Sequence, residues 1–502
     1  MYQAGEIKRF LRAFTRLRPT KLAKVKKNLQ KITFKEENTQ KCVIFFLFET
    51  AHYNSLHLLY LAHVMAAQGY TVKVVICDGS MPNCEIKTVK NKGYNPCGSC
   101  KFNYHKLFNL SPNLELIPLK FCPSSVTSGG IDKTDIANAR SSAVRYYYGD
   151  ESKALSDDCL LNSLSVVDKF ITAMAAEIDL THSPDIVVSN MDDYVYFQGL
   201  TKYFKARGKF RQITMTEFDH SKFTLNEFSL YPAKERFNNF CLSHNFLTDF
   251  ERSEIRHFMN RRMGLKQDAM RRYGWSLVGI EKLRQALRID EKKRNVFLFP
   301  NLHWDPGVAS QNNLFSDVIE WVGETVELCS KIDGLQLFIR PHPEERLRKD
   351  GLKYGLIDAM KARGYGLSHN VTIINHEMNV SSYELFPLVD LGVISGGTLG
   401  LEMLYQEVPC VSVGTAPYSK SVIDIGVTSK QQYISVLSGE QLPVAPDRAD
   451  VEKFLYFYFL DCRLAWPLTQ KFYGDTSFSV KNLNDSELMA LEKIAKTLLR
   501  LR

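Results

Sequence analysis

The sequence predicts an α/β protein of two doubly wound domains facing across a cleft, preceded by a basic amphipathic helical segment. Three observations predict it. Short apolar runs alternate with longer helical patterns in two successive blocks, the signature of parallel sheets with crossover helices. The runs are bounded by Gly, Pro, Ser, Asn and Asp, which punctuate strand ends. A chain of 502 residues, 45% hydrophobic and 12% aromatic, suits two or three packed domains and is too apolar for wholesale disorder.

The elements follow in order. In residues 1–35, Ile7, Phe10, Leu11, Phe14 and Leu17 fall on one helical face, and Leu22, Val25, Leu29 and Ile32 repeat the pattern. Eleven Lys and Arg stand there against the single acid Glu6, so the net charge of +9 leaves the other 467 residues near neutral, at −1. An apolar stripe flanked by Lys and Arg suits an anionic membrane surface. A helix docked on the protein's own body is the alternative. Nucleic acid is not expected as a partner, because no basic and aromatic interleaving recurs in the body.

The body, 36–290, opens with a strand at Cys42–Phe48, a helical run to Gln68-Gly69 and a strand at Thr71–Cys77. Asp185–Ser189, Gly199–Ala206 and Gln212–Thr216 repeat strand, helix, strand. Residues 233–292 are charged and helical and read as the transition between lobes. The second domain, 291–460, carries strands at Asn295–Pro300, Gly334–Arg340, Val371–Ile374, Asp390–Ile394 and Cys410–Val413. Its helices are expected at Phe315–Ile332 and from about Thr398 to Gln406. The last part, 461–502, is expected to be helical. No uninterrupted apolar run approaches the ~20 residues of a membrane span, and the N-terminus lacks the apolar core of a signal peptide. Eleven cysteines, an odd number over a long chain, argue against a secreted disulfide framework. The expected location is cytoplasmic, peripheral on the inner face of the cell membrane.

The chemistry concentrates in the second domain. An apolar strand runs into Ser395-Gly396-Gly397-Thr398, where a helix begins. That geometry offers backbone N–H groups and two hydroxyls to an anion, and the glycines let a phosphate approach the backbone. Glu402, one turn on, is placed to accept ribose hydroxyls. Alone, Ser-Gly-Gly reads equally as a tight turn. Upstream, Arg340-Pro341-His342-Pro343 closes another strand, and both Arg340 and His342 are phosphate donors by chemistry. Asn301 and His303, with Asp305, follow the first strand of this domain and are placed to meet phosphate or sugar, against the alternative of a plain loop around Trp304.

These residues carry a resemblance. His342-Pro343, Ser395 to Glu402, Val408-Pro409-Cys410-Val411 and Gly414 to Tyr418 resemble the donor half of GT-B glycosyltransferases, in particular the bacterial capsule and surface-polysaccharide (Kdo-transferase-like) group. The resemblance covers roughly residues 295–425 and is architectural elsewhere. It implies two Rossmann-like lobes and transfer from a nucleotide-sugar donor, CMP- or UDP-linked, to a glycan or lipid-linked acceptor. It also implies that His342 and Ser395 to Thr398 bind the nucleotide phosphates. This chain has Ser-Gly-Gly-Thr where many relatives have Ser-Ser or Ser-Thr, which changes the hydroxyl contacts.

An acceptor hydroxyl needs a base to take its proton. Glu217, Asp193 and His220, expected just past strand ends of the first domain, are the candidates, and catalysis is expected to be metal-independent. Cys77, Cys84, Cys97 and Cys100 lie within 24 residues, and Pro96-Cys97-Gly98-Ser99-Cys100 resembles a zinc knuckle, so a structural zinc is expected. Free or oxidisable thiols and an iron–sulfur cluster are the alternatives. Two other functions fit the pattern: a nucleotide-sugar 2-epimerase of the same fold, and a non-catalytic membrane-associated scaffold.

Overall fold

The structure, a computed structural model, describes residues 27, 41–48, 53–84, 97, 114–122, 133–147, 149–191, 194–219, 222–227, 233–264, 278–304, 314–343, 345, 354–461, 463–466 and 484–500. The basic segment 1–35, apart from the exposed and helical Lys27, lies outside them. The chain divides into two compact units: Met1–Tyr146 with Asp157–Ser229 and Cys462–Arg502, and Tyr147–Ser156 with Leu230–Asp461.

The first unit is built on a seven-stranded sheet. Its strands are β1 (Cys42–Phe46), β2 (Thr71–Cys77), β3 (Leu114–Leu119), β4 (Ile186–Ser189), β5 (Phe210–Asp219), β6 (Lys222–Glu227) and β12 (Arg463–Trp466). The order is β12-β6-β5-β4-β1-β2-β3. The five strands from β3 to β5 are parallel, with Cys42 opposite Thr71 and Val43 opposite Ile186. β1 is buried over its whole length because both faces of a parallel sheet are covered, and its sequence is accordingly apolar throughout. Helix α1 (Tyr53–Ala67) makes the crossover from β1 to β2.

Helix α2 (Asp158–His182) opens on Asp157, whose carboxylate accepts the Leu160 N–H at 2.9 Å, and closes on Ser183 in the left-handed conformation. By length and composition this helix passes for a membrane span, which the sequence reading did not foresee. Asp168 and Lys169 interrupt its apolar run, and 56% of its most apolar window is buried inside the protein. The first unit ends in an antiparallel extension, since β6 folds back on β5 and β12 pairs with β6.

The second unit holds a five-stranded, wholly parallel sheet of β7 (Arg294–Phe299), β8 (Leu335–Ile339), β9 (Val371–Ile373), β10 (Leu391–Ile394) and β11 (Cys410–Ser412), in the order β11-β10-β7-β8-β9. This is the same winding as the five parallel strands of the first unit. The Asp390 carboxylate accepts the Asn295 N–H at 2.8 Å and pins β10 beside β7. Helices α3 (Ala233–Ser243) and α4 (Asp249–Met263) belong to this unit, although the sequence places 233–292 before the second domain. The reason is aromatic packing. Phe237 lies 4.8 Å from Phe454, and Phe258 lies 4.9 Å from Phe459, ring centre to ring centre. In the opposite sense, the segment from Cys462 returns to the first unit, where β12 is a strand rather than the expected helix. Two Rossmann-like α/β units in one chain are the architecture of the GT-B class.

Candidate functional site

In the second unit, winding reverses between β7 and β10, and their carboxyl ends define the topological switch point where open α/β sheets bind ligands. Ser395 follows β10 and is fully buried, and its Oγ has no hydrogen-bond partner. Gly396 and Gly397 take φ values of 125° and 82°, which only glycine adopts without strain. A Cβ placed on Gly397 meets nothing within 4 Å, so the space beside this turn is open. Thr398 occupies the N-cap of helix α5 (Leu399–Tyr405) but makes no side-chain cap, which leaves the first N–H groups of the helix without a side-chain acceptor.

Thr398 does not cap because its hydroxyl is engaged elsewhere. Arg262, in the last turn of α4, donates from Nη2 to Thr398 Oγ1 at 3.0 Å and from Nε to Glu402 Oε1 at 2.6 Å. Tyr383 donates its hydroxyl to Glu402 Oε2 at 3.0 Å. Glu402 is only 2% exposed, with both oxygens occupied. The expected ribose-accepting role therefore does not hold in this arrangement. Glu402 anchors Arg262 instead.

Helix α4 presents Arg262 through a complete capping box. Glu251 N donates to Thr248 Oγ1 at 3.3 Å, and Thr248 N donates back to Glu251 Oε2 at 2.7 Å. Sequence reasoning missed both Arg262 and Tyr383. The signal available was Thr248-Asp-Phe-Glu251 opening a helix with Arg261-Arg262 in its last turn, but nothing local pairs that helix with Glu402.

The neighbouring strand ends answer differently. His342 is half-buried just past β8, as expected. Arg340 is 2% exposed and donates from Nη1 to Ile374 O at 3.1 Å and from Nη2 to Val380 O at 2.7 Å. It braces the loop after β9, so the expected phosphate contact from Arg340 is corrected to a structural one.

Asn301 is half-buried after β7, and His303 is 9% exposed. His303 Nε2 lies 3.0 Å from Gly149 O, and a carbonyl only accepts, so Nε2 carries the proton. Burial pushes the imidazole below its ordinary range and outweighs the Gly149 hydrogen bond that raises it. The ring is neutral, and Nδ1, which has no partner, is an acceptor. His303 in this state cannot donate to a phosphate. By chemistry its Nδ1 accepts from a hydroxyl.

Glu217 lies within β5, opposite Phe223 of β6, rather than beyond a strand end. β5 pairs with β4 only up to Gln212, so Glu217 sits on a hairpin arm that outruns the parallel sheet. Asp193 and His220 fall outside the described residues.

Two of the four cysteines meet at Gly79. Cys77 Sγ accepts the Gly79 N–H at 3.2 Å, Cys97 Sγ lies 4.0 Å from Gly79 O, and Cys100 is outside the described residues. Burial raises the Cys77 thiol above its ordinary range. Among the described residues no three His, Cys, Asp or Glu gather to hold a metal, so the expected four-thiolate zinc site is not formed by Cys77, Cys84 and Cys97.

No protein-family model matches the chain, and no curated protein matches it. Solved structures do. A β-Kdo 2,4-transferase, KpsC of Thermosulfurimonas dismutans, aligns at 12% identity and a TM-score of 0.33 over 55% of this chain and 79% of its own. The wall teichoic acid polymerase TagF aligns at 12% identity and 0.25 over 98% of each chain. UDP-GlcNAc 2-epimerase from Neisseria meningitidis aligns at 11% identity and 0.25 over 91% of this chain and all of its own. Likenesses this distant carry no weight for activity. The fold class rests on the strand order of the two sheets.

Proposed function

We propose that the chain is a glycosyltransferase whose second unit binds a nucleotide sugar at the Ser395–Thr398 turn. The observation that carries this is the turn itself: two left-handed glycines and a buried, unpartnered serine hydroxyl at the switch point, beside open space. Backbone N–H groups, the Thr398 region and His342 receive the phosphates, and the neutral His303 accepts from a sugar hydroxyl. The acceptor, lipid-linked or a surface polysaccharide, brings a hydroxyl whose oxygen bonds to the anomeric carbon as the bond to the phosphate breaks. Its proton passes to Glu217, Asp193 or His220, and the nucleotide leaves with the bonding electrons. On this reading no metal is needed.

The basic segment 1–35 holds the enzyme peripherally on the cytoplasmic face of the membrane. A 2-epimerase of the same winding needs neither an acceptor nor that segment.

The test is a thermal-shift screen with CMP, CDP, UDP, GDP and dTDP, since a ligand bound only to the folded chain raises its midpoint. A midpoint unmoved by all five sinks the reading. Deleting residues 1–35 is expected to abolish salt-sensitive binding to liposomes containing phosphatidylserine while leaving the midpoint unchanged. Equal binding with and without the segment removes the membrane part.

A further inference from the structure

We infer that Arg262 is the cation that receives the donor's phosphate at the Gly396-Gly397 turn, and that Glu402 is the positioning residue that aims it. This rests on the nucleotide-sugar reading of the same turn.

A guanidinium carries five N–H donors in a planar fork. Arg262 spends one on Glu402 Oε1 and one on Thr398 Oγ1. Among the described residues, neither hydrogen of Nη1 nor the second hydrogen of Nη2 meets an acceptor. Two features fix the plane of the fork. Glu402, buried and held from its other side by Tyr383, grips one edge. The Phe459 ring lies 4.9 Å from the guanidinium carbon and supports its face.

The unspent donors thus belong to a group already tied to Thr398, the residue that follows the two left-handed glycines. Fork-shaped, permanently charged donors beside a turn with open space match a phosphate, which presents several acceptor oxygens in one place. A sugar hydroxyl offers one acceptor oxygen to three unspent N–H groups, whereas a phosphate offers several. Arg340, the other arginine of this edge, is spent on the Ile374 and Val380 carbonyls. The side-chain charge at the turn therefore comes from a residue that lies about 135 positions earlier in the sequence.

The experiment compares affinities of a nucleoside diphosphate and its own nucleoside, using the full chain and whichever nucleotide of the five it binds. The ratio isolates what the phosphates contribute. Arg262→Gln is expected to lower that ratio about 10- to 100-fold while nucleoside affinity and the unliganded midpoint hold. Arg262→Lys, which keeps the charge without the fork, should recover part of the loss. Glu402→Gln, which still accepts a hydrogen bond, should cost less than Arg262→Gln. An Arg262→Gln chain with the parent's ratio overturns the inference. So does a parallel loss of nucleoside and diphosphate binding with a lowered midpoint, which marks a purely structural residue. A parent that binds none of the five nucleotides sinks the transfer reading instead. The variants are then titrated with inorganic pyrophosphate, and an affinity equal to the parent's overturns Arg262 on its own account.

Discussion

Each unit places a buried serine near the carboxyl end of a matching strand, Ser189 as the last residue of β4 and Ser395 just past β10. Ser189 Oγ accepts the Met191 N–H at 3.3 Å, closing a local turn on itself. Ser395 Oγ accepts nothing, and the chain after it leaves by two glycines. The strand order is the same and the chemistry is not. What makes an edge of a Rossmann-like sheet a binding edge is the set of polar groups its turn leaves unpaired.

The largest effect should come from the first unit. Glu217→Gln is expected to slow transfer 10²- to 10⁴-fold with nucleotide affinity unchanged, because the amide cannot take the proton. Normal transfer by that variant would move the base to Asp193 or His220. Next, Gly397→Val is expected to weaken nucleotide binding more than about 100-fold in calorimetry. No clash arises in the free chain, so the cost comes from the left-handed φ and from filling the space the phosphate needs. Ser189→Ala, made at the serine that ends β4 in the first unit, should leave binding as it was. If the two substitutions weaken binding equally, the contrast between the units fails. His342→Ala is expected to cost about 10- to 100-fold, the loss of one charge-assisted contact.

The smallest effect is a pH dependence. Burial holds the folded His303 below the ordinary 6.5, so the unfolded chain binds its proton more readily. The resulting stability is present above pH 6.5 and is lost as the pH falls towards the folded value. His303→Gln should flatten the acid limb of the urea midpoint between about pH 7.5 and 5.5. A limb with the parent's slope would show that the imidazole is not buried neutral.

Much of the fold was legible because parallel strands buried on both faces must be apolar runs, and β1, β2, β7, β8, β10 and β11 are. Thr71–Cys77 was read to the residue. β3 was not read: Leu114-Glu-Leu-Ile-Pro-Leu119 is an edge strand, and its Glu115 and Pro118 break the run. β6 and β12, the antiparallel end of the first sheet, were missed because both are short and mixed in polarity. At the site, the glycine turn was legible through its pairing with His342-Pro343 upstream, since Ser-Gly-Gly alone reads equally as a tight turn. Arg340 misled because a cation after a strand looks the same whether it faces a ligand or a loop carbonyl. Arg262 was invisible because its partner Glu402 lies 140 positions away.

β12 has a bearing on how the protein is made. Among the described residues the edge of β6 is covered by Arg463–Trp466, and the helix Asp485–Arg500 packs against α1. A ribosome that has just released β1 must add more than 400 residues before the first sheet can be finished, roughly 20–80 s at ordinary synthesis rates. The second unit has all its strands out well before then. Order of emergence and order of completion are inverted: the unit that begins the chain is the last to close. From its own synthesis until that of β12, β6 is a bare strand edge, open to pairing with another nascent chain.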